Sequence, residues 1–232
     1  MKFTKIKLSI ILTIFFLSLN SIPCYPLDTG EKVVYITFDD GPTKLTNQVL
    51  DILKENDVKA TFFLIGGQIQ YNKNVVLRIY NEGHGIGLHS YTHEKSKIYK
   101  NKDSFLEEMK RTQKEIEDLT NYKANILRFP FGCNNLYYKL DRQMLDLLHE
   151  EGLKVYDWNV DSRDGANHNL PPDKITRNSL SKRERVILLL HCSNLNKNTV
   201  KALPSIIKYY RENGYKFETI NCETYEQYKL MK

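Results

Sequence analysis

Two adjacent carboxylates, Asp39 and Asp40, follow an apolar run that is rich in β-branched residues, and Gly41 and Pro42 then force a turn. Two carboxylates at the end of one strand repel each other unless a cation or hydrogen-bond donors relieve the repulsion. Because adjacent residues of an extended chain point in different directions, one carboxylate can bind a metal while the other faces water. Taken alone, the motif is also typical of a solvated turn.

A second group of metal-binding side chains consists of His89 and His93. Histidines four positions apart lie on one face of a helical turn, so this spacing predicts that both imidazoles grip one cation. With Asp40 they form a set of two imidazoles and one carboxylate that leaves positions open for water and substrate, and this set suits zinc, cobalt, nickel or iron. The glutamate of the His-Glu-x-x-His metalloprotease motif is absent. An isolated pair of this spacing is often structural.

Further polar residues could complete a hydrolytic site. Arg128 would keep a carboxylate base ionised and oriented, although a surface arginine is the simpler alternative. Either Asp161 or Asp164 could hydrogen-bond a histidine and raise its pKa. His191 follows an apolar run and could act as a general acid or lie in the core. The single tryptophan, Trp158, is either a core residue or a substrate platform.

The elements that must position these residues alternate in type, which predicts an α/β protein with parallel strands and helical crossovers. The apolar pattern predicts seven strands, close to a (β/α) barrel, over residues 33–38, 60–65, 85–89, 126–128, 154–160, 186–190 and 215–220. Helices are predicted over residues 46–56, 75–82, 104–119, 141–150 and 200–211, and after Pro172. For the longest helix, Ser104 and Glu107 form a capping-box pattern.

In such barrels the catalytic residues collect at the carboxyl ends of the strands. The unusual polar residues follow predicted strands one after another, namely Asp39, Asp40, His89, Arg128, Asp161, Asp164 and His191. We therefore predict that they share one rim of the barrel.

The N-terminal segment resembles a targeting sequence. A basic start at residues 2–7 precedes an apolar run over residues 8–19, the length of a signal-peptide core. The uncharged stretch also suffices for a retained anchor. We predict a signal peptide or membrane anchor at residues 1–24, a tether at 25–31 and one domain at 32–232. The protein is accordingly expected to be secreted or anchored on the outer face of the cytoplasmic membrane, in the cell envelope.

Charge gives little reason to expect a nucleic-acid partner. The formal net charge is +6, and three of the basic residues lie in the predicted leader. The remaining imbalance is too small to favour nucleic acid or a membrane surface. We expect membrane contact only through the N-terminal segment, and a monomer.

The chain has four cysteines, which are Cys24, Cys133, Cys192 and Cys222. No two of them have the Cys-x-x-Cys spacing, which excludes a zinc ribbon or a thioredoxin motif. Cys133 and Cys192 each lie beside a candidate functional motif. They are either neighbours in space or free buried thiols.

The five segments around these residues, in this order, resemble the polysaccharide deacetylase family, that is, the NodB homology domain of the family-4 carbohydrate esterases. The resemblance covers about residues 33–220. It implies a distorted (β/α)7-type barrel, one divalent metal ion that is commonly zinc, and N-acetylated glycans as substrates.

The same resemblance implies a role for each matching residue. Asp39 resembles the catalytic base, and Arg128 resembles the residue that holds it. The metal ligands would be Asp40, His89 and His93.

The resemblance also implies that His191 is the catalytic acid and that Asp164 tunes it. Residues expected to contact substrate are Pro130, Gly132, Leu189 and Trp158, with Leu189 in an acetyl pocket. Two positions depart from the family pattern: Gly165 stands where the family often has Trp, and Cys192 where it often has an acid.

The predicted function is therefore metal-dependent hydrolysis of N-acetyl groups on a cell-wall polysaccharide, with peptidoglycan as the leading substrate. Chitin oligomers and acetyl-xylan are alternatives within the same chemistry. A wall-glycan-binding pseudoenzyme is an alternative of another class, and complete retention of base, ligands, arginine and acid argues against it.

Overall fold

The computed structural model describes residues 31–231. The leader or anchor predicted for residues 1–24 and nearly all of the tether predicted for residues 25–31 lie outside the described residues. Within residues 31–231, no helix combines the length and apolar character needed to cross a membrane.

A curled sheet of parallel strands forms the centre of the structure, and it confirms the predicted α/β class and (β/α)7-type barrel. Seven strands run in the order β5-β4-β3-β2-β1-β7-β6, and β8 pairs with the beginning of β1. The strands are β1 (Val33–Gly41), β2 (Thr61–Leu64), β3 (Gly85–Leu88), β4 (Ile126–Leu127), β5 (Lys154–Val155), β6 (Val160–Asp161), β7 (Arg185–His191) and β8 (Lys216–Phe217). Because all the paired strands are parallel, their carboxyl ends meet at one rim.

Side-chain alternation along the strands separates two layers of apolar packing. On β1, Val34, Ile36 and Phe38 belong to the large core between sheet and helices. The opposite face of the sheet encloses a smaller cluster inside the curl, formed by Phe63, Ile126, Tyr156, Ile187 and Ile220. Burying a side chain of this size contributes about 1.5–3 kcal/mol, so both layers hold the rim in place.

The strand predicted over residues 154–160 is two short strands, β5 and β6, at opposite edges of the sheet. The Tyr156 N–H still donates to the Leu127 carbonyl on β4, and residues 157–159 then leave the ladder and cross the open side of the barrel. The reason is hydrogen bonding to segments distant in sequence. The carbonyls of Tyr156 and Asp157 accept from the Arg128 guanidinium, and the Asn159 side chain bonds the backbone of Arg185 and Ile187 on β7. An apolar pattern alone does not register such a crossing.

Helices cover the outside of the sheet. They are α1 (Lys44–Glu55), α2 (Gly66–Ile69), α3 (Lys73–Asn81), α4 (Lys95–Ile98), α5 (Lys102–Thr120), α6 (Arg142–Glu150), α7 (Pro172–Ser179) and α8 (Lys197–Glu212). The predicted start of α5 is wrong by about one turn. Asn101 is the N-cap, with extended backbone, and its side chain accepts from the Ser104 N–H. Asparagine caps as well as serine does, so two adequate caps compete here and the earlier one wins.

Candidate active site

A cavity of about 300 Å³ opens at the carboxyl rim of the sheet. It brings together most of the predicted site residues. Its lining comprises Asp39, Asp40, His89, His93, Phe131, Trp158, Asp161, Gly165, Ala166, Leu189 and His191.

Strand alternation explains why base and acid candidates point into this cavity. On β1, Tyr35 packs against the inner cluster and Thr37 bonds Arg128 inside the barrel. Asp39 continues that inward row and is only 3% exposed. On β7, Ile187 begins the same kind of row, which ends at His191.

The Arg128 side chain extends across the barrel interior and is fully buried. Its Nη1 donates to the Asp39 carboxylate at 2.9 Å and to the Thr37 hydroxyl at 2.7 Å. Its Nε and Nη2 donate to the carbonyls of Tyr156 and Asp157. The guanidinium therefore fixes the Asp39 carboxylate by charge and geometry, and it ties β4 to the crossing segment.

Asp40, His89 and His93 form a compact donor set whose ligand atoms all lie within 4.8 Å of one another. The Asp40 Oδ1 is 3.6 Å from the His89 Nε2 and 3.4 Å from the His93 Nε2. This Oδ1 is buried and has no hydrogen-bond partner within the described part of the chain. A buried carboxylate oxygen without a donor is costly, and a divalent cation bound by these three residues would satisfy it. The donor set thus fits the predicted metal.

Both histidines are also suited to metal binding. The His89 Nδ1 donates to the Arg128 carbonyl at 3.0 Å, so its Nε2 is the nitrogen that faces Asp40. Burial and the neighbouring His89 lower the pKa of His93 to about 4, although Asp40 and Asp39 oppose the shift. The His93 imidazole is therefore neutral near pH 7.

The predicted helical turn between the two histidines is wrong. Residues 89–94 form a loop after β3 in which Ser90 and His93 have φ values of 63° and 58°. A regular helix has no left-handed residues, so the two imidazoles converge through this loop conformation and not through helical spacing.

His191 is held from behind by Asp164. The Asp164 Oδ1 accepts from the His191 Nδ1 at 2.7 Å, and its Oδ2 accepts from the His191 backbone N–H at 2.9 Å. The hydroxyls of Ser162 and Thr199 also donate to this carboxylate. Asp161 lies apart, on the cavity wall, and accepts from the Arg163 N–H. Of the two aspartates considered, Asp164 makes the contact.

These contacts shift the pKa values of both partners. Burial alone would lower the pKa of His191, but the hydrogen bond and charge of Asp164, with the charges of Asp39 and Asp40, raise it to about 9. Burial alone would raise the pKa of Asp164, but its hydrogen bonds, above all with His191, lower it below its usual value. The imidazole can therefore carry a proton near pH 7, as a general acid must.

The predicted substrate contacts divide into two pairs. Leu189 and Trp158 line the cavity. Pro130 and Gly132 are buried and do not line it, because the Pro130 carbonyl accepts from Tyr99 and Gly132 packs against the Trp158 ring. Between them, Phe131 takes a φ of 66° and is 49% exposed on the cavity wall.

Sequence reasoning named neither Ser162 nor Thr199, the hydroxyl donors to Asp164, nor the role of Phe131. Serine and threonine carry no spacing signal of their own. Phe131 is unfavourable for two reasons: its large apolar ring is half exposed to water, and its backbone is left-handed. Such strain is typical of a functional position. The available signal is that Phe131 lies between Pro130 and Gly132, which the family resemblance marks as substrate contacts.

The described cysteines are all free thiols, with Cys133 and Cys192 buried and Cys222 exposed. Burial raises the pKa of Cys133 to about 12 and also raises the pKa of Cys192. Cys192 contacts Thr46 and the Asp39 carbonyl, whereas Cys133 contacts the Lys229 carbonyl. Both thiols therefore serve packing.

Comparison with known proteins agrees with this geometry. A family model described as polysaccharide deacetylase matches residues 27–156. The chain is 36% identical over 200 residues to a peptidoglycan-N-acetylglucosamine deacetylase of Bacillus cereus, covering 84% of this chain and 71% of that protein. It is 32% identical over 202 residues to the peptidoglycan-N-acetylglucosamine deacetylase PgdA of Listeria monocytogenes, covering 86% of this chain and 40% of that protein.

A solved structure agrees as well. The crystal structure of the polysaccharide deacetylase Bc1974 from Bacillus cereus matches with a TM-score of 0.78 at 36% identity, covering 85% of this chain and 96% of that chain. The barrel carries its candidate metal ligands, its buried arginine and its acid and base candidates on one rim. Fold, family match and sequence identity agree, and the chain belongs to the polysaccharide deacetylase family.

Proposed function

We propose that this enzyme hydrolyses the N-acetyl groups of peptidoglycan, principally on N-acetylglucosamine, and releases acetate. The observation that carries the proposal is the placement, in one cavity, of an arginine-held carboxylate, a carboxylate-held imidazole and a metal-binding triad. The names of the relatives in Bacillus cereus and Listeria monocytogenes support the choice of N-acetylglucosamine.

Asp39 and His191 divide the proton transfers of amide hydrolysis. The Asp39 carboxylate, kept in place by Arg128, accepts a proton from the water that attacks the acetamide carbonyl. The C–N bond then breaks, and His191 gives a proton to the departing sugar amine while acetate leaves. A general base and a general acid each contribute roughly 10²–10⁴-fold to the rate.

Asp40, His89 and His93 would hold the metal, for which we propose zinc, although cobalt, nickel or iron suit the same donors. Such an ion supplies Lewis-acid chemistry: it acidifies a nearby water and polarises the acetamide carbonyl. The chain's own contribution is to orient the His89 ring through the Arg128 carbonyl and to keep the His93 imidazole neutral.

The shape of the site favours a polymer over a single sugar. A second cavity, of about 540 Å³, shares Asp40 and His93 with the first. Its wall includes Gln68, Glu94 and Ser193, whose polar groups suit sugar hydroxyls. A glycan with its reacting acetamide at the shared residues therefore has room to continue.

Location and assembly are also proposals. The basic and apolar pattern of residues 2–19 supports export to the cell envelope, as a secreted or an anchored protein. We propose that the enzyme acts there as a monomer whose only membrane contact is the N-terminal segment.

Acetate release tests the function. Purified protein, supplied with zinc, would be incubated with peptidoglycan, N-acetylglucosamine oligomers and acetyl-xylan, each with and without chelator. We expect chelator-sensitive release, fastest from peptidoglycan. Faster release from N-acetylglucosamine oligomers (chitin oligomers) or from acetyl-xylan would identify that polymer as the substrate in place of peptidoglycan. No release from any of the three would contradict the enzyme assignment and favour a glycan-binding pseudoenzyme.

Two variants separate the proposed base from the proposed metal ligands. Asp39→Asn should abolish turnover while the metal stays bound, because Asp39 is assigned as base. His93→Ala should lose the metal itself. Metal content that collapses in Asp39→Asn, or that is unchanged in His93→Ala, would contradict the assignments.

A further inference from the structure

The loop between the two histidine ligands depends on one carboxylate from a distant helix. Each backbone N–H from Tyr91 to Glu94 has a side-chain acceptor. The His93 N–H donates to the Ser90 hydroxyl and the Glu94 N–H donates to the Thr92 hydroxyl, both within the loop. The N–H groups of Tyr91 and Thr92 instead donate to Glu108, on α5.

Glu108 makes four close contacts with two consecutive loop residues. Its Oε2 accepts from the Tyr91 N–H at 2.9 Å and from the Thr92 N–H at 2.7 Å. The Thr92 hydroxyl lies 3.0 and 3.1 Å from the two carboxylate oxygens. Hydrogen bonds to an ionised carboxylate are roughly twice as strong as neutral ones, so this helix clamps the loop firmly.

The clamp matters because the loop is unfavourable by itself. Ser90 and His93 both have left-handed backbone, which costs a non-glycine residue about 1–2 kcal/mol. Further outside support comes from Gly66 and Gly67, whose N–H groups donate to the carbonyls of Ser90 and Tyr91. Two side-chain contacts add to it: the Arg111 guanidinium lies 3.5 Å from the centre of the Tyr91 ring, and the Phe131 ring lies 5.0 Å from the His93 ring. Without Glu108, two N–H groups lose their acceptor and the loop can relax toward regular backbone.

The two histidines are therefore supported independently. The His89 ring is fixed by its bond to the Arg128 carbonyl. The position of His93 depends on the loop itself, since its backbone bond is to Ser90 inside the same loop. Relaxation of the loop would move His93 away from Asp40 and leave His89 in place.

We propose that Glu108 is a positioning residue that holds His93 within reach of the metal shared with Asp40 and His89. The inference rests on the metal site of the proposed function and not on the identity of the substrate. Glu108 touches no reacting atom, and its effect passes through the loop.

Glu107 offers a matched control, because it is the same residue type on the same helix and is exposed to solvent. Glu108→Ala, Glu108→Gln and Glu107→Ala would be compared with the unaltered chain. The measurement is the zinc dissociation constant, obtained by competition with a chromophoric chelator. It needs no turnover, so it stays informative if the substrate proposal fails.

Loss of such a supporting contact typically weakens metal affinity 10–100-fold, and we expect this for Glu108→Ala. Glu108→Gln keeps one oxygen that can accept both N–H groups but loses the charge, so its loss should be smaller, roughly 3–10-fold. Glu107→Ala should bind zinc like the unaltered chain. At saturating zinc, the kcat of Glu108→Gln should return to near its original value.

Zinc affinity in Glu108→Ala equal to that of the unaltered chain would overturn the proposal. So would an equal loss in Glu107→Ala, which would mark a general effect of charge on α5. If Glu108→Ala does not fold, the comparison of Glu108→Gln with Glu107→Gln decides, and identical affinities in that pair would overturn the proposal too.

Discussion

Asp39 and His191 are register partners on the neighbouring parallel strands β1 and β7. Partnered residues of a sheet point to the same face, so the proposed base and acid enter the cavity side by side. The pairing continues without interruption from Val33 and Arg185 to this point, and the Cys192 N–H then donates to the Asp39 carbonyl. The backbone ladder thus sets the spacing of the two proton-transfer groups, and their side-chain partners set the charge states.

Arg128→Lys should destabilise the fold as well as impair activity. Lysine keeps the positive charge, but one ammonium cannot serve Asp39 and the carbonyls of Tyr156 and Asp157 together. Each buried group left without its donor costs about 1–3 kcal/mol, so we expect a total loss of roughly 3–5 kcal/mol. Urea unfolding of the metal-free protein measures this loss.

Arg142→Lys is the control for that experiment. The Arg142 side chain is exposed, and its ion pair with Asp146 is long, at 3.9 Å, and therefore weak. The effect of Arg142→Lys should stay within about 0.5 kcal/mol. Equal stability of the two variants would refute the bracing role of Arg128.

Asp164→Asn should move the alkaline limit of activity to lower pH. His191 must be protonated to act as acid, and the pKa of about 9 keeps it so at neutral pH. A cation held by Asp40 would offset part of the charge of Asp39 and Asp40, which leaves Asp164 as the dominant source of the shift. Without the negative charge of Asp164, the pKa of His191 falls. As the pH is raised, His191 then loses its proton earlier, and activity ends at a lower pH than in the unaltered chain.

The measurement is the pH profile of kcat/KM on a soluble oligosaccharide, with an expected displacement of roughly two pH units. Ser162→Ala is the control, since it removes one donor to Asp164 and keeps the carboxylate charge. Its alkaline limit should move little. An unshifted limit in Asp164→Asn would contradict the assignment.

How far the sequence predicts this site differs between its parts. The placement of Asp39 and His191 at strand ends follows from apolar runs that stop at polar residues, and the structure places both residues on one rim. The helical turn predicted between His89 and His93 is wrong, because a four-residue spacing does not distinguish a helical turn from a loop with two left-handed residues. Two of the four backbone N–H groups of the loop bond an acceptor on another element, the Glu108 carboxylate, which the spacing of the histidines does not reveal.

The split of the predicted strand at residues 157–159 has the same origin. Its side chains look strand-like, and the departure from the ladder is caused by Arg128, which lies 28 residues from Tyr156 in sequence. Contacts between distant segments decide both cases, and a single sequence carries no direct record of them.

His84 should make the protein sensitive to mild acid. Its Nδ1 accepts from the Ala60 N–H, and its Nε2 is buried 3.9 Å from Glu82. Burial, followed by the charge of Lys59, lowers the pKa of His84 from 6.5 to about 4. As pH falls, His84 in the unfolded chain therefore takes up a proton at a higher pH than it does in the folded protein. The free energy of unfolding keeps its full value above about pH 6.5 and decreases as pH drops toward 4.

The loss should approach about 3 kcal/mol by pH 4. Urea unfolding at several pH values would be compared between the unaltered chain and His84→Gln, whose amide can accept from Ala60 but does not titrate. The difference between the two proteins should shrink as pH falls through this window. A difference that is constant with pH would show that His84 does not contribute.

Gly165→Ala should abolish most turnover without removing the metal. A Cβ at position 165 would lie 2.4 Å from the His191 Cε1 and 2.7 Å from its Nε2, so alanine already displaces the ring. The ring cannot yield easily, because Asp164 bonds both its Nδ1 and the backbone N–H of His191. A misplaced acid should lower kcat by roughly 10²-fold or more.

Zinc affinity of Gly165→Ala should match that of the unaltered chain, because the three atoms nearest to the added Cβ all belong to His191 and none to Asp40, His89 or His93. In this chain the aromatic walls of the cavity are provided by Phe131 and Trp158. A Gly165→Ala protein with unchanged kcat would mean that His191 tolerates a shift, and would weaken its assignment as the acid.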